Sequence, residues 1–353
     1  MSDSHVDTLI LGQGIAGSLL AWTLIHKGQK VCVIDDAHKS SSSRVAAGIL
    51  NPLAGMRFNR RPQMGDWLQA ADQSYAELAA EFGTPFFRAL PMLRLFRSAE
   101  QRRFHRRRRE DPASRDLLDA AFEPGECPET VAAPHGGFTQ HRTGHVDMPL
   151  LLRILRTWLH QQGALIEQEL AFDQIELLDH GVGAAGIQAR RLVFCDGARL
   201  RDNPWFSHLP LAPDKGEILN LRIDGWHPRH IINAAHWLVP MENGELRLGA
   251  THDHERNDNR PTSAGRRELL RGLNTLLPSL PNTRVTLHQA GIRPGTSDRY
   301  PLLGRHREHR ALWVCNGFGA RGALTVPWYA HCLADNILDG VALPAEADIG
   351  RFR

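Results

Sequence analysis

The 353-residue sequence has no apolar stretch long enough to span a bilayer, and no basic and apolar leader precedes the strand-like run at Val6. Its longest apolar stretches, residues 9–11 and 19–25, are too short or too interrupted for a transmembrane helix. We therefore expect no membrane partner. Hydrophobic residues make up 42% and charged residues 23% of the chain, which is ordinary for a globular protein. The length favours two domains.

Cysteine is scarce. The five cysteines are odd in number and none forms a C-x-x-C pair, which argues against a disulfide framework. Cys32, Cys195 and Cys315 lie in apolar strand-like runs, so they are predicted to be buried free thiols. Free thiols are typical of a reducing compartment, and we expect the protein to be cytoplasmic.

Several catalytic motifs are also missing. The sequence has no G-x-S-x-G elbow, no P-loop and no H-E-x-x-H, although histidines cluster at residues 252–254 and at 135, 141 and 145. Without zinc-ligand spacing these histidines are interpreted as polar loop residues, and no metal is expected.

Charge of one sign is concentrated in a single segment. The net charge is only +3, but six arginines lie at positions 102, 103 and 106–109. A solvated helix face is the preferred interpretation of such a run. A contact with phosphate or RNA remains open as the alternative.

The first thirty-odd residues have the pattern of a nucleotide-binding β-α-β unit. An apolar run ends at Gly12, residues 15–27 have helical spacing, and a second apolar run covers residues 31–34. Gly12, Gly14 and Gly17 form G-x-G-x-x-G between the strand and the helix. Their expected roles are the tight turn, close approach of the backbone to a pyrophosphate, and close packing of helix on strand. The helix N-terminus would face the phosphates.

An acidic residue follows the second strand at the distance that a ribose contact requires. Asp35 ends that strand and is preferred, and Asp36 is its neighbouring alternative. The unit does not distinguish NAD from FAD.

Eight further segments carry recognisable patterns in order along the chain: residues 42–52, 144–150, 194–198, 215–217, 237–240, 249–251, 291–304 and 317–322. Together they resemble the D-amino-acid oxidase and glycine oxidase superfamily of FAD enzymes. The resemblance covers nearly the whole chain, and its final loop is especially like the flavin half of the bifunctional enzyme that modifies the wobble uridine of tRNA.

The resemblance implies an α/β (α+β overall) fold with a Rossmann-type FAD-binding domain and an inserted substrate domain. The first would have a mostly parallel sheet and comprise residues 1–80, 140–212 and 288–353. The second would have a mainly antiparallel sheet and comprise residues 81–139 and 213–287. It also implies non-covalent FAD, since no Cys or His occupies a position that the family uses for attachment.

The implied reaction is oxidation of the C–N bond of an amine or amino acid to an imine, with the flavin reoxidised by oxygen or another acceptor. The partner would be a small-molecule amine or amino acid. Two alternatives remain: a flavoenzyme that acts on modified tRNA or another macromolecular amine, and a flavin-binding protein without amine oxidase activity.

The catalytic candidates are Arg293, Arg321 and Trp237. In the family, the position of Arg293 holds the substrate's carboxylate, and a guanidinium fork suits that role. Arg321 is a weaker candidate for contact with substrate or flavin. Trp237 occupies the position where amino-acid oxidases of the family place a tyrosine hydroxyl, so stacking on a larger or more apolar group is expected there.

The expected cofactor contacts come from the glycine loop, the 42–52 segment, the strand end at residues 194–198 and the closing loop. The last of these leads into a helix whose N-terminus would face the N1 and C2 carbonyl edge of the flavin. The predicted set is Gly12, Gly14, Ile15, Ala16, Gly17, Asp35, Asp36, Ser43, Arg44, Ala46, Ala47, Gly48, Leu50, Phe172, Asp196, Gly197, Arg293, Gly317, Gly319, Ala320, Arg321, Gly322, Ala323 and Leu324.

Overall fold

The structure is a computed structural model and describes residues 4–38, 41–279 and 282–352. Its strands are β1 (Ser4–Leu11), β2 (Val31–Asp35), β3 (Ile49–Leu50), β4 (Phe87–Ala89), β5 (Met92–Leu95), β6 (Gly137–Gln140), β7 (Gly144–Val146), β8 (Leu165–Glu167), β9 (Glu176–Leu178), β10 (Gly181–Ala184), β11 (Ile187–Phe194), β12 (Leu211–Ile223), β13 (Ile231–Asn233), β14 (Trp237–Pro240), β15 (Leu246–Gly249), β16 (Thr283–Thr296), β17 (Leu302–Arg305) and β18 (Leu312–Asn316). Its α-helices are α1 (Ile15–His26), α2 (Ser42–Val45), α3 (Met64–Phe82), α4 (Ala99–Glu110), α5 (Met148–Gln161), α6 (Ser263–Leu276) and α7 (Gly322–Asp339).

The nucleotide-binding pattern at the start of the chain folds into the centre of an eight-stranded sheet. Its main strand order is β17-β18-β11-β1-β2-β8, with β10 on β11 and β9 on β10. The β1, β2, β8, β11 and β18 strands pair in parallel. Such strands are buried on both sides, and all five residues of β2 are buried. One apolar cluster joins this sheet to α1, α3, α5 and α7, and a second covers the other face.

A seven-stranded sheet, in the order β16-β12-β15-β14-β13-β5-β6, forms the second layer, and every pair in it except β13 with β5 is antiparallel. Since side chains alternate along a strand, the sheet has two distinct faces. Leucines from four of its strands and Ile232 of β13 pack against α6 on one face. A small third sheet has the strand order β3-β7-β4, and its strand β3 is part of the 42–52 segment.

The opposite face of the seven-stranded sheet contacts the 42–52 segment. We call it the facing surface and define it by Met92, Ile231, Trp237, Arg247 and Arg293. A small apolar cluster joins Met92, Ile231 and Trp237 to Ala47 of the segment. Arg247 Nη1 donates to the Ala46 carbonyl at 3.2 Å. The nucleotide-binding unit and the antiparallel sheet therefore meet at this segment.

The predicted mixture of a parallel and an antiparallel sheet is present. All four expected domain boundaries nevertheless fall inside continuous elements: residue 80 in α3, residue 139 in β6, residue 212 in β12 and residue 288 in β16. The β16 strand pairs with β12 at thirteen positions along its length. Its G-x-R-P-G sequence has the composition of a turn, but this pairing holds it in an extended conformation. The division into domains remains a proposal. No α-helix within the described parts of the chain is long and apolar enough to cross a membrane.

Candidate active site

The glycine loop between β1 and α1 has no room for side chains. Gly12 has a φ of +102°, and a Cβ there would lie 2.6 Å from the Cys195 carbonyl oxygen. A Cβ at Gly17 would lie only 1.9 Å from the Gly12 carbonyl oxygen. Both positions accept only glycine. The close packing expected from the sequence is therefore a feature of this loop.

Two serines lie over the start of α1. Ser43 Oγ accepts from the backbone N–H of Ile15 at 3.1 Å, and Gly14 is the N-cap. Ser41 Oγ is enclosed and has no hydrogen-bond partner among the described residues, and it lies 3.9 Å from where a Cβ of Gly14 would be. An unpaired hydroxyl beside a bare helix N-terminus is suited to an anionic oxygen. These residues fit a pyrophosphate; Ser41 has no sequence signal beyond its polar surroundings.

Asp35 is buried at the end of β2, beside the glycine loop. Its Oδ2 accepts from Gln13 N at 2.8 Å, and its Oδ1 accepts from His38 N at 2.9 Å. Arg156 of α5 lies 2.8 Å from the same Oδ1. Asp36 follows the strand and is half-buried. The ribose contact of Asp35 stays a prediction, and Arg156 is a neighbour that the sequence did not indicate.

The rest of the 42–52 segment contacts β7 of the small third sheet through backbone. Gly48 has a φ of +67°, and a Cβ there would lie 2.1 Å from the Val146 carbonyl oxygen. Ala47 and Leu50 are buried, whereas Arg44 is exposed. The segment thus runs between β7 and the facing surface.

The closing loop brings a second helix N-terminus to the same place. Gly317 and Gly319 have positive φ angles, and α7 begins at Gly322. A Cβ at Gly322 would lie 3.4 Å from Ile15 Cγ2, so α1 and α7 start side by side. The buried Tyr75 hydroxyl donates to the Ala323 carbonyl at 2.6 Å and ties α7 to α3. Ala320 and Leu324 flank this start, and two positive helix ends converge there.

Arg321 is the N-cap of α7 and has an enclosed Nη1 without a hydrogen-bond partner among the described residues. Its guanidinium lies 5.9 Å from the Trp67 ring centroid, and burial lowers its pKa. Trp67 Nε1 on the neighbouring α3 and Gln63 Oε1 at the N-cap of that helix are also enclosed, and neither has a hydrogen-bond partner within the part of the chain that the structure describes. Unpaired polar atoms in one region are what a polar ligand would satisfy. The sequence did not indicate Trp67 or Gln63.

Arg293 lies on the facing surface and already has a protein partner. Its Nη1 donates to Asp214 Oδ2 at 2.6 Å. A Cβ at Gly291, two residues earlier on β16, would lie 3.2 Å from the Ser42 Cα, so this part of β16 packs directly on α2. Burial alone would raise the pKa of Asp214, but the hydrogen bond from His252 and the charge of Arg293 hold it below its ordinary value. The sequence did not indicate Asp214 or His252.

Trp237 is half-buried on β14 of the facing surface. It belongs to the cluster that contains Ala47, and a Cβ at Gly249 would lie 2.5 Å from its Cζ2. The ring therefore covers Gly249 of the neighbouring strand. Its predicted stacking on a substrate remains a prediction.

Asp196 and Gly197 follow β11 beside the glycine loop. Asp196 Oδ1 accepts from Asn316 Nδ2 at 3.0 Å, and Oδ2 is enclosed without a hydrogen-bond partner among the described residues. Burial raises the pKa of this carboxyl to about 7. Phe172 packs on Phe194, the last residue of β11, in the cluster on the second face of the main sheet, and its contact with the cofactor stays a prediction.

The sequence matches a known protein family. The family model for FAD dependent oxidoreductases matches residues 7–336. The chain belongs to this family. It is 25% identical over 346 residues to the glycine oxidase of Pseudomonas aeruginosa, with 93% of each chain covered. It is also 25% identical to the tRNA 5-methylaminomethyl-2-thiouridine biosynthesis bifunctional protein of an Azoarcus strain. That match covers 97% of this chain and 58% of the Azoarcus protein.

Among solved structures, glycine oxidase from Geobacillus kaustophilus has a TM-score of 0.84 to this FAD-dependent oxidoreductase, with 22% identity and with 99% and 98% of the two chains covered. These findings confirm the superfamily, the mixed α/β fold and the FAD cofactor predicted from the sequence. The individual site residues stay predictions.

Proposed function

We propose that this FAD-dependent oxidoreductase oxidises the C–N bond of an amine or amino acid to an imine, which water then hydrolyses. The observation that carries the proposal is the contact between β16 and α2, which holds Arg293 and Trp237 on a surface facing the 42–52 segment. Glycine oxidase among the relatives supports the same chemistry. The substrate class is an amine small enough to enter between the two sheets.

Bound FAD would supply the acceptor for the hydride that leaves the substrate carbon. The chain's own residues would do the positioning. The N-terminus of α1 with Ser41 and Ser43 would hold the pyrophosphate, and Asp35 would hold the ribose. The N-terminus of α7 would stabilise negative charge on the reduced ring. Arg293 and Arg321 are the cations available for a substrate carboxylate, and oxygen or another acceptor would reoxidise the flavin.

The proposed binding of FAD is non-covalent. Purified protein should be yellow and should release FAD into the supernatant when it is denatured. Flavin that stays with the precipitated polypeptide would contradict this proposal, and a colourless protein that FAD cannot reconstitute would contradict the cofactor site itself.

The reaction is tested by anaerobic titration of the holoenzyme with amino acids, N-alkylated glycines and polyamines, with bleaching of the flavin absorbance as the measurement. We expect at least one amine to reduce the flavin and to yield an aldehyde or oxo acid after hydrolysis. A flavin that dithionite reduces but that no amine reduces would favour a flavin-binding protein without this activity.

A second candidate function, action on RNA, is favoured by one surface. Arg103, Arg106, Arg107 and Arg109 lie on the exposed face of α4, and no described carboxylate lies within ion-pair distance of them. Like charges three and four residues apart destabilise a helix, so a bound polyanion would relieve this face. The preferred interpretation remains a solvated helix face.

The RNA candidate predicts affinity that falls steeply with salt. Neutralising Arg106, Arg107 and Arg109 to Gln should reduce the slope of log affinity against log salt by roughly 2–3, because each phosphate contact contributes a little under one. The matched control neutralises Arg266, Arg267 and Arg271, which are exposed on α6. No binding of a tRNA at low salt would remove this candidate.

The cytoplasm is the proposed compartment. All five cysteines are free thiols, and Cys32, Cys195 and Cys315 are buried as predicted. Buried thiols are stable in a reducing compartment.

A further inference from the structure

The fork of Arg293 is occupied by a residue of the same sheet. Asp214 is its direct partner across the β12–β16 ladder, and Nη1 and Oδ2 lie 2.6 Å apart. The two side chains are only 18% and 14% exposed. A carboxylate that enters this site from outside must therefore compete with a carboxylate already in place.

The surroundings hold the pair in this arrangement. A Cβ at Gly216 would lie 2.0 Å from Arg293 Nη2, so the guanidinium lies directly over this glycine. The Thr251 carbonyl is 3.5 Å from both terminal nitrogens. His252 Nδ1 lies 2.7 Å from the same Asp214 Oδ2 that accepts from Arg293. The carboxylate is thus held from two sides, and swinging it away would cost contacts.

The other oxygen of Asp214 has no donor. Oδ1 is enclosed and has no hydrogen-bond partner among the described residues, and His254 Nδ1 lies 3.9 Å from it. A carboxylate oxygen accepts two hydrogen bonds, and enclosed acceptors are normally satisfied. An N–H of a bound amine is the ligand group that would satisfy it.

We propose that Asp214 determines the substrate class of this enzyme. Its Oδ2 neutralises Arg293, and its Oδ1 accepts from the substrate nitrogen, so the site prefers amines that carry no carboxylate next to the reacting carbon. The charge balance supports this: Arg293 with Asp214 is neutral, whereas Arg293 alone would attract an amino-acid carboxylate. The inference rests on the proposed amine oxidation, and it adds a specificity-determining residue to it.

The test is the isosteric Asp214→Asn variant of the holoenzyme, titrated with glycolate while the flavin absorbance spectrum is followed. Glycolate carries the carboxylate but no amine, so its binding reports on Arg293 without turnover. We expect its Kd to fall about tenfold or more, because the guanidinium is freed for a charge-assisted contact. With N-methylglycine the gain should appear mainly as a lower KM. With a carboxylate-free N-methylalkylamine KM should rise about tenfold, since the acceptor for its N–H loses its charge.

The matched control is Asp253→Asn. Asp253 accepts hydrogen bonds from the backbone N–H groups of Glu255 and Arg256 and forms neither a hydrogen bond nor an ion pair with Arg293. Removing its charge should therefore leave the glycolate Kd within about twofold of the wild-type value. Asp214→Ser repeats the test with a different neutral side chain should Asp214→Asn lose FAD.

An unchanged glycolate Kd in a flavin-loaded Asp214 variant overturns the inference, even where amines still reduce the flavin. Failure of the proposed amine oxidation gives a different result, in which no amine reduces the flavin. Glycolate binding still reports in that case whether Asp214 controls access to Arg293.

Discussion

The nucleotide-binding loop and the facing surface lie on opposite sides of the 42–52 segment and are built in different ways. The loop works through backbone: Gly12 and Gly17 have no space for a Cβ, and the N-terminus of α1 that follows provides partial positive charge. The facing surface works through long charged side chains. Arg247 donates to Ala46, and Arg293 donates to Asp214.

The difference has a chemical reason. A pyrophosphate is the same in every FAD, so a rigid backbone site can be fixed once and needs no adjustable side chain. A substrate varies in size and charge, and side chains on a rigid sheet can change the selectivity without altering the fold. Substitutions in the loop should therefore remove the cofactor, whereas substitutions on the facing surface should change which molecule is oxidised.

The strongest test of the comparison is Gly17→Ala. Its new Cβ would meet the Gly12 carbonyl oxygen at 1.9 Å, and neither backbone can yield without opening the loop. We expect purified protein almost free of FAD, measured by flavin absorbance per polypeptide. The matched control is Gly28→Ala in the same β-α-β unit, where a Cβ meets nothing within 4 Å. It should keep FAD and lose only about 1–2 kcal/mol for its left-handed φ. Equal FAD loss in both variants would show that the loop is not the decisive feature.

Arg293→Leu tests the facing surface. For a substrate that carries a carboxylate, kcat/KM should fall by roughly a hundredfold or more, because breaking a buried ion pair costs about 3–5 kcal/mol. Arg293→Lys should recover only part of the loss, since an ammonium cannot reproduce the fork. FAD content should be little affected. A carboxylate-free amine should respond less than the carboxylate substrate but not stay unchanged, because Asp214 loses the partner that holds its carboxylate in place. Loss of FAD from a folded Arg293→Leu protein would move this residue to the cofactor site.

Asp196 lies beside the nucleotide-binding loop, and we expect it to make the free energy of unfolding depend on pH. Burial raises its pKa in the folded protein to about 7, above its ordinary value. Its neutral form is therefore favoured by folding, and this stability is present at low pH and lost as the pH rises through 7. Asp196→Asn should not lose stability in this way. Between pH 5 and pH 8 its free energy of unfolding should therefore increase by about 2 kcal/mol relative to that of the wild type.

The measurement for Asp196 is urea unfolding at saturating FAD at both pH values. Asp202→Asn, an exposed carboxylate in the same turn, is the control and should leave the pH dependence unchanged. A parallel pH dependence of wild type and Asp196→Asn would mean that this carboxyl titrates normally.

Trp237→Tyr is expected to have the smallest effect. A hydroxyl on the facing surface could donate to a substrate carboxylate and lower KM for N-methylglycine several-fold, because one hydrogen bond contributes about 1 kcal/mol. Trp237→Phe has a similar ring without the hydroxyl and separates hydrogen bonding from loss of ring area. A KM that changes equally in both variants would assign the effect to packing against Gly249.

Much of the fold could be predicted because its signals are local. The helix expected at residues 15–27 is α1, and the mainly antiparallel sheet that the resemblance implies is present as the seven-stranded sheet. The β16 strand was missed because proline and glycines interrupt its apolar pattern around Arg293. Pairing along its whole length with β12 overrides that local preference.

The sequence by itself determined the nucleotide-binding loop, since its requirements lie within one β-α-β unit: glycine where a side chain cannot fit, a helix start, and an acid at the next strand end. Only the tertiary structure decided the state of Arg293. Asp214 is 79 residues away in the chain, and the register of two long antiparallel strands brings them within 2.6 Å. A local pattern contains no information on such a register, because it is set by the hydrogen bonds and packing of the whole sheet.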